Sequence, residues 1–324
     1  MTLADRLRAR IEADGPMPFA DWMAACLYDP EGGYYMQARQ KTGTGQEADF
    51  ATSPKLHPFL AQCVAREAEG LWEALGRPAD FQVAEFGGGE GDLARDAQAW
   101  LAEHSDLTCD WLHIEISPDH QAKQGGHQAP ALPDGFVGLV VAHEFIDALP
   151  FHVFRRTESG WDSLYVADSE VWQPVEFEGP PVRPGTRMEW MDRAAAWLRD
   201  LAKMAAGSVL VIDYGREGPS HDSLRTFRNQ QDAGSALEDP GSKDITANVD
   251  FRQLRAWAEE AGFVAPESQS QESWLLEHGI LEELNRIGRE DLEDASSYLR
   301  LRQLLLPTAM GQAFRVARFG KRTG

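Results

Sequence analysis

The sequence predicts an α/β protein with a doubly wound, mostly parallel sheet. Short apolar segments at 81–86, 111–116, 138–142 and 208–213 are separated by stretches with helical spacing. A strand that is parallel to its neighbour needs a crossover to return the chain to the same edge of the sheet, and a helix usually forms that crossover. This alternation therefore favours one sheet with helices on both faces.

The composition is that of a globular protein. The 324 residues are 43% hydrophobic and 26% charged, with a mean hydropathy of -0.42, outside the ranges of collagen-like and disordered chains. No apolar run reaches about 18 residues, so we expect no membrane insertion. The three cysteines are far apart and form no C-x-x-C pair, which argues against a disulfide framework and a metal site. The first residues contain no apolar signal segment, and we expect a cytoplasmic protein.

The charge balance restricts the class of partner. The chain has 31 basic and 52 acidic residues, a formal net charge of -21. A field of that sign repels phosphate, so nucleic acid is excluded and cationic partners are favoured. The oligomeric state is left open.

Residues 1–78 are predicted to form an N-terminal helical cap and lid. Apolar residues every four positions predict a helix over 3–13 that ends before Gly15-Pro16, and further helices are expected at 19–27 and 56–75. The segment between the last two is rich in Gly, Pro, Asp and Tyr, and loops of that length often cover a binding site.

Residues 79–324 are predicted to form the α/β domain. Its rhythm is interrupted at about 151–187 by an antiparallel β insertion and at about 214–250 by a long loop. Helices are expected at 188–204 and 251–262, and a last edge strand at 314–319.

A glycine-rich turn after the first strand is the strongest local signal. Gly87, Gly89 and Gly91 follow an apolar strand and precede a helix, a pattern typical of backbone that passes close to a ligand. The dinucleotide motif G-x-G-x-x-G needs a third glycine at position 92, where this chain has Asp92. An NAD-dependent oxidoreductase is therefore the less favoured alternative.

Carboxylates surround this turn. Glu85, Glu90 and Asp92 suit a ligand with positive charge and hydroxyls, such as S-adenosylmethionine. Glu115 ends the next strand, where a carboxylate can accept both ribose hydroxyls, and Ile116 follows it. We assign the nucleoside site to Glu85, the three glycines, Glu115 and Ile116. The alternative is a tight turn without a ligand and a carboxylate that faces solvent.

A second acidic cluster follows the third strand in AHEFIDALPFHVF, residues 142–154. Glu144 and Asp147 would share one face if this segment were helical. A zinc-protease motif needs histidine at position 147 and is excluded. The two carboxylates could also cap a short helix.

Several segments in this order resemble the MidA-like methyltransferases. They are LYDPEGGYY at 27–35, ADFATSP at 48–54, EFGGGEGDL at 85–93, IEISP at 114–118, HEFIDALPFHVF at 143–154, IDYG at 212–215, DPGSKDITANVDF at 239–251 and PTAMGQAF at 307–314. The resemblance covers nearly the whole chain. It departs at His143, where the family has asparagine, and at Ala48 and Lys55 in the cap.

The resemblance implies a class I S-adenosylmethionine-dependent methyltransferase of Rossmann-like fold. The family includes a mitochondrial complex I assembly factor that dimethylates an arginine of a core subunit. By resemblance we expect a protein-arginine substrate, with a respiratory complex subunit as one candidate. The alternative is an assembly chaperone that binds the cofactor without turnover.

An arginine acceptor needs help from carboxylates. Its guanidinium has a pKa above about 12 and is a poor nucleophile until it is oriented and gives up a proton. We predict Glu144 and Asp147 for this role. Asp213, which ends the fourth strand, is the next candidate, although it could merely cap a turn.

The substrate side is predicted to include residues of both domains. His143 could act as a base near neutral pH or be a core residue. Tyr34 and Tyr35 could close over the substrate or pack beneath the lid. Three further residues could position cofactor or substrate, or serve as turn and helix caps: Asp49, Thr52 and Ser53.

Overall fold

A computed structural model describes residues 1–37, 57–124, 126–228, 231–290, 295–306 and 310–321. Within these ranges the helices are α1 (Leu3–Asp14), α2 (Phe19–Tyr28), α3 (Phe59–Ala74), α4 (Asp92–His104), α5 (Pro118–Lys123), α6 (Asp192–Leu201), α7 (Phe251–Glu260), α8 (Gln271–Glu277), α9 (Ile280–Glu290) and α10 (Ala295–Leu305), with a 3-10 helix at Tyr34–Met36. In the same ranges no helix has the length and apolar character needed to cross a membrane.

The strands are β1 (Met17–Pro18), β2 (Gln82–Phe86), β3 (Asp110–Ile114), β4 (His127–Gln128), β5 (Val137–His143), β6 (His152–Arg156), β7 (Trp161–Val166), β8 (Glu170–Val175), β9 (Arg187–Trp190), β10 (Ala206–Arg216), β11 (Arg225–Arg228), β12 (Gln231–Asp232), β13 (Asp244–Thr246), β14 (Val249–Asp250), β15 (Phe263–Val264), β16 (Gln269–Ser270) and β17 (Phe314–Lys321).

The predicted α/β class with a mostly parallel central sheet is confirmed. The strand order is β15-β17-β10-β5-β2-β3-β4, and the run from β10 to β4 is parallel. β17 is antiparallel to β10 and is not an edge strand, because β15 and β16 pair along its other side. Phe86 lies opposite both Ile114 and Ala142, so β2, β3 and β5 end at the same edge of the sheet.

The central strands are apolar on both faces because helices cover both. Along β10, Val209 and Val211 pack into one core while Leu210 and Ile212 pack into the other. The first core also contains residues of α1, α2, α6 and α7, and the second contains residues of α3, α4 and α8–α10. Burying a side chain of this size contributes about 1.5–3 kcal/mol, so the alternating residues of β10 stabilise the packing of helices on both faces of the sheet.

Helix α3 belongs to the layers of the main domain. It packs against β5 and α4, and its apolar face fills the second core. Helices α1 and α2 lie on the opposite face of the sheet. The predicted cap boundary at residue 78 stays a prediction, and we propose that the boundary falls before α3.

Glu67 links α3 to the C-terminal elements. Its Oε1 accepts hydrogen bonds from Trp274 Nε1 at 2.8 Å and Arg318 Nε at 2.9 Å, and it lies 3.2 Å from His278 Nε2. Burial alone would raise the pKa of Glu67, but the hydrogen bonds from His278, Arg318 and Trp274 outweigh burial and lower it to about 2.

The interruption at 151–187 is an antiparallel sheet of β6–β9 that recruits β1 from the N-terminal segment. Met17 and Pro18 pair with Val166 and Tyr165 of β7. The predicted start of a helix at Met188 is wrong, because residues 187–190 pair with β6 and α6 begins only at Asp192. The expected loop at 214–250 also contains the small antiparallel sheet β12-β11-β13.

Candidate active site

The glycine turn, residues 87–91, connects β2 to α4. Gly87, Gly89 and Gly91 have φ angles of +65°, +56° and +79°, which favour glycine over residues with a side chain. A Cβ on Gly87 would lie 3.0 Å from the ring of Phe145, whereas a Cβ on Gly89 would meet no atom within 4 Å. Gly89 therefore faces open space.

That space belongs to a cavity of about 460 Å³ at the carboxyl ends of β2, β3 and β5. Ligands of open α/β sheets bind at this edge, and the volume suits a small-molecule ligand. Besides the glycine turn, the lining includes residues after β3, the turn after β5 and two tyrosines of the N-terminal segment: Glu115, Ile116, His120, Glu144, Phe145, Ala148, Leu149, Tyr28 and Tyr35.

Glu115 is held in place by backbone donors. Its Oε2 accepts the Gly89 N–H at 3.1 Å and its Oε1 accepts the Ser117 N–H at 2.8 Å, while His120 Nδ1 lies 3.6 Å from Oε2. A carboxylate oxygen has two lone pairs, so each oxygen can still accept a hydroxyl hydrogen. The neighbouring Ile116 is 57% exposed and offers an apolar surface to a planar ring. The geometry fits the predicted binding of a nucleoside.

Glu85 lies beneath the same turn. Its buried carboxylate accepts the Trp111 Nε1–H at 3.0 Å, and a Cβ on Gly88 would come within 2.6 Å of its carboxyl carbon. Burial raises the pKa of Glu85 to about 7 against the lowering effect of Trp111, with smaller contributions from the charges of Glu115 and Asp92. Glu85 can therefore change its charge near neutral pH.

Glu144 faces the cavity from the 143–149 turn that follows β5. It has a φ of +50°, and its N–H donates to the carbonyl of Ile212 at 2.9 Å. The segment is a turn and not a helix, so the condition under which Glu144 and Asp147 would share a helix face is not met. A side chain in the left-handed region costs about 1–2 kcal/mol, which the surrounding structure must offset.

Asp147 lies behind the cavity lining. It is buried, and its Oδ2 accepts the Thr246 hydroxyl at 2.7 Å, whereas Oδ1 has no hydrogen-bond partner in the described part of the chain. Burial raises the pKa of Asp147 to about 6, although the hydrogen bond from Thr246 lowers it. The structure therefore brings Glu144, and not Asp147, to the cavity surface.

Asp213 supports the 143–149 turn from inside the protein. Its fully buried Oδ2 accepts the N–H groups of Phe145, Ile146 and Asp147 at 3.2, 2.8 and 3.3 Å. Burial and the charges of Asp147 and Glu144 raise the pKa of Asp213. Asp213 does not line the cavity, so the structure gives its predicted catalytic role no contact with a ligand there, and its observed contacts are with the backbone of the turn.

His143 is a lining residue in a core-like environment. Its ring is nearly parallel to that of Phe314 at 6.1 Å, and its Nε2 lies 3.4 Å from Glu144 Oε1. Burial lowers the pKa of His143 to about 3, so the ring is neutral near pH 7 and is a weak base. Of the two predicted roles, the geometry favours the packed residue.

The aromatic pair of Tyr28 and Tyr35 closes the cap side of the cavity. Their rings stack at 5.6 Å. The Tyr28 hydroxyl donates to the carbonyl of Ala148 at 2.8 Å, and the Tyr35 hydroxyl donates to Asp244 Oδ1 at 2.9 Å. Burial, followed by the Asp244 carboxylate, raises the pKa of both phenols well above its usual range, so both stay neutral.

Of the remaining predicted substrate residues, only Tyr34 lies in the described part of the chain, and it does not line the cavity. Tyr34 is completely buried and meets Tyr35 edge to face at 5.0 Å, which favours the packing role among the two that the sequence left open. Three predicted positions lie outside the described residues: Asp49, Thr52 and Ser53. Sequence reasoning did not assign Tyr28 or His120, although Tyr28 is in the quoted segment LYDPEGGYY.

The chain is similar to known methyltransferases. Residues 63–268 match the family described as "Putative S-adenosyl-L-methionine-dependent methyltransferase". The chain is 31% identical to the protein arginine methyltransferase NDUFAF7 homolog, mitochondrial, of Drosophila melanogaster, over 81% of this chain and 71% of the relative. It is 27% identical to the human mitochondrial protein arginine methyltransferase NDUFAF7, over 95% of this chain and 81% of the relative.

A solved structure supports the same fold and cofactor. A crystal structure of a protein from Burkholderia thailandensis bound to S-adenosyl-homocysteine is 28% identical, covers 98% of this chain and 92% of its own, and superposes with a TM-score of 0.88. The expectation of a cytoplasmic protein is wrong by these comparisons, because the relatives are named as mitochondrial proteins.

The residues of the cavity fit S-adenosylmethionine. The open space at Gly89, the anchored carboxylate of Glu115 and the exposed Ile116 provide the features that a nucleoside needs. The cofactor would supply an electrophilic methyl group. The fold, the cavity and the family match together establish that this chain belongs to the S-adenosyl-L-methionine-dependent methyltransferase family whose model spans residues 63–268.

Proposed function

We propose that this enzyme methylates an arginine side chain of a protein substrate. The observation that carries the proposal is that Glu144 lines the same cavity as the glycine turn. The relatives that are named protein arginine methyltransferases support it. By its resemblance to the MidA-like family, we further propose a subunit of a respiratory complex as the substrate.

The lining opposite the glycine turn suits a cation. The hydroxyl hydrogens of Tyr28 and Tyr35 are donated to protein acceptors, so these residues offer the cavity ring faces and oxygen lone pairs. Aromatic faces and carboxylates attract a guanidinium. The formal net charge of -21 favours a basic substrate as well.

Glu144 can both orient the acceptor and remove its proton. A hydrogen bond from the reacting nitrogen of the guanidinium to this carboxylate would orient the acceptor and place its proton beside the base. As the reacting nitrogen forms its bond to the methyl carbon, the carbon–sulfur bond breaks with its electron pair going to sulfur, and the nitrogen's proton passes to Glu144. The main task of the protein is alignment, which can contribute about 7–11 kcal/mol.

The test is labelling with S-adenosylmethionine that carries a tritiated methyl group. The enzyme is incubated with a lysate and with candidate respiratory subunits, and the labelled protein is hydrolysed to amino acids. We expect the label in methylated arginine. Label in another amino acid would contradict an arginine acceptor, and an absence of label would favour the chaperone that binds the cofactor without turnover.

A variant pair locates the reaction. Glu144→Gln keeps the size of the side chain but removes its charge and its ability to take the proton, so we expect at least about a hundredfold loss of kcat. Its affinity for S-adenosylhomocysteine should stay within about threefold of that of the wild type. Glu158→Gln, on the exposed turn between β6 and β7, is the control and should change neither quantity.

A further inference from the structure

The backbone of Gly89 is held by side chains at both of its polar groups. Its N–H donates to Glu115 Oε2 at 3.1 Å, and its carbonyl accepts the Gln124 Nε2–H at 2.8 Å. Glu115 follows β3, and Gln124 follows α5. The segment 115–124 therefore holds the backbone of Gly89 at both its N–H and its carbonyl group.

The Gln124 side chain is buried, and its hydrogen bonds favour one orientation of the amide. It is 2% exposed, and its Oε1 accepts the Gln128 Nε2–H at 3.0 Å. The reverse orientation would place oxygen against the Gly89 carbonyl and would lose both hydrogen bonds. Its Cγ also lies 3.3 Å from the position of a Cβ on Gly91, so Gln124 packs against two glycines of the turn.

We propose that Gln124 is a positioning residue for the cofactor. It does not line the cavity, so it acts through Gly89. By fixing the Gly89 peptide at a φ of +56°, Gln124 keeps open the space beside that residue and keeps its N–H directed at Glu115. Without Gln124, the Gly89 carbonyl loses this donor, and the conformation of the turn loses one of the two hydrogen bonds that hold it at Gly89.

The test compares Gln124→Leu and Gln124→Glu with the wild type. Leucine fills a similar volume but donates no hydrogen bond, and an ionised glutamate would repel the Gly89 carbonyl. For both variants we expect about a tenfold weaker Kd for S-adenosylhomocysteine at pH 8, measured by calorimetry. The control is Gln98→Leu on the exposed face of α4, which should bind like the wild type.

A pH series separates positioning from general damage. A protonated glutamate can donate its O–H to the Gly89 carbonyl, so the Kd ratio of Gln124→Glu to wild type should fall towards one between pH 8 and pH 5, whereas that of Gln124→Leu should stay constant. Each comparison uses the wild type at the same pH, because Glu85, whose pKa burial raises to about 7, lies beneath the turn and because Glu90, Glu115 and His120 are further ionisable residues of the lining.

Two outcomes would overturn the proposal. One is an unchanged Kd in both variants. The other is a Kd ratio of Gln124→Glu that does not respond to pH, which would indicate a merely structural role for this side chain. If Gln124→Leu does not fold, the pH response of Gln124→Glu decides alone.

Discussion

The variant Gly89→Val separates stability from cofactor binding. A Cβ at Gly89 meets no atom within 4 Å, so the side chain of a valine would leave the backbone into open space. The remaining cost is the φ of +56°, about 1–2 kcal/mol for a residue with a side chain. The valine methyl groups, however, would occupy the part of the cavity next to the N–H that Glu115 accepts. We expect at least a hundredfold loss of affinity, equivalent to about 3 kcal/mol.

The control for this variant is Gly76→Val. Gly76 follows α3, has a φ of +83° and would also place its Cβ in open space, but it does not line the cavity. Urea unfolding should show similar losses of about 1–2 kcal/mol in both variants. Calorimetry with S-adenosylhomocysteine should show normal binding only in Gly76→Val. Binding by Gly89→Val within about threefold of the wild type would refute the assigned cofactor position.

Three further predictions concern buried carboxylates. The pKa of Glu85 is raised from 4.5 to about 7 in the folded state, so stability should fall as pH rises between these values, by about 3 kcal/mol, and Glu85→Gln should remove this slope in urea unfolding at pH 5 and pH 7.5. The pKa of Glu67 is lowered from 4.5 to about 2, so its contribution to the free energy of unfolding, also about 3 kcal/mol, is present above pH 4.5 and is lost as pH falls towards 2. The variant Glu67→Gln should therefore be less stable than the wild type at pH 7. Its free energy of unfolding should also fall less steeply between pH 4.5 and pH 2. Asp213→Ala leaves three N–H groups of the 143–149 turn without their acceptor, so we expect the free energy of unfolding to fall by about 3 kcal/mol. We also expect kcat to fall, while the affinity for S-adenosylhomocysteine should change by less than tenfold.

Each of these predictions has a result that contradicts it. An unchanged pH slope in Glu85→Gln would place the titrating group elsewhere. Equal acid limbs for Glu67→Gln and wild type would mean that the network around this carboxylate contributes little. A normal kcat in Asp213→Ala would show that the position of Glu144 does not depend on the buried carboxylate.

The sequence was informative wherever the signal is local. The spacing of Gly87, Gly89 and Gly91 reports a backbone conformation, and Glu115 follows from its distance to them along an alternating pattern, so the cofactor side could be predicted. The orientation of Asp213 was harder to predict. A residue at the end of a strand can point to the cavity or into the protein, and the residue type alone does not decide between them. The segment 187–190 pairs with β6 although its pattern resembles a helix, an example of tertiary contacts that override local propensity.

The cap side depends on contacts between distant parts of the chain. Tyr35 meets Asp244, and Tyr28 meets the carbonyl of Ala148. No pattern of sequence spacing predicts contacts between residues so far apart. The family resemblance predicts the order of the segments along the chain but not these contacts. The packing of these tyrosines, and the burial of Tyr34 next to them, could be seen only in three dimensions.

The pairing of β1 with β7 links the N-terminal segment, which contributes Tyr28 and Tyr35 to the cavity, to the inserted sheet. Met17 and Pro18 are hydrogen-bonded into the inserted sheet just before α2, the helix that ends with Tyr28. The ring of Phe19 at the start of that helix lies 5.8 Å from the ring of Phe151 at the start of the insertion, at an angle of 40°. Any movement of the N-terminal segment away from the cavity must therefore either carry the inserted sheet with it or break this junction.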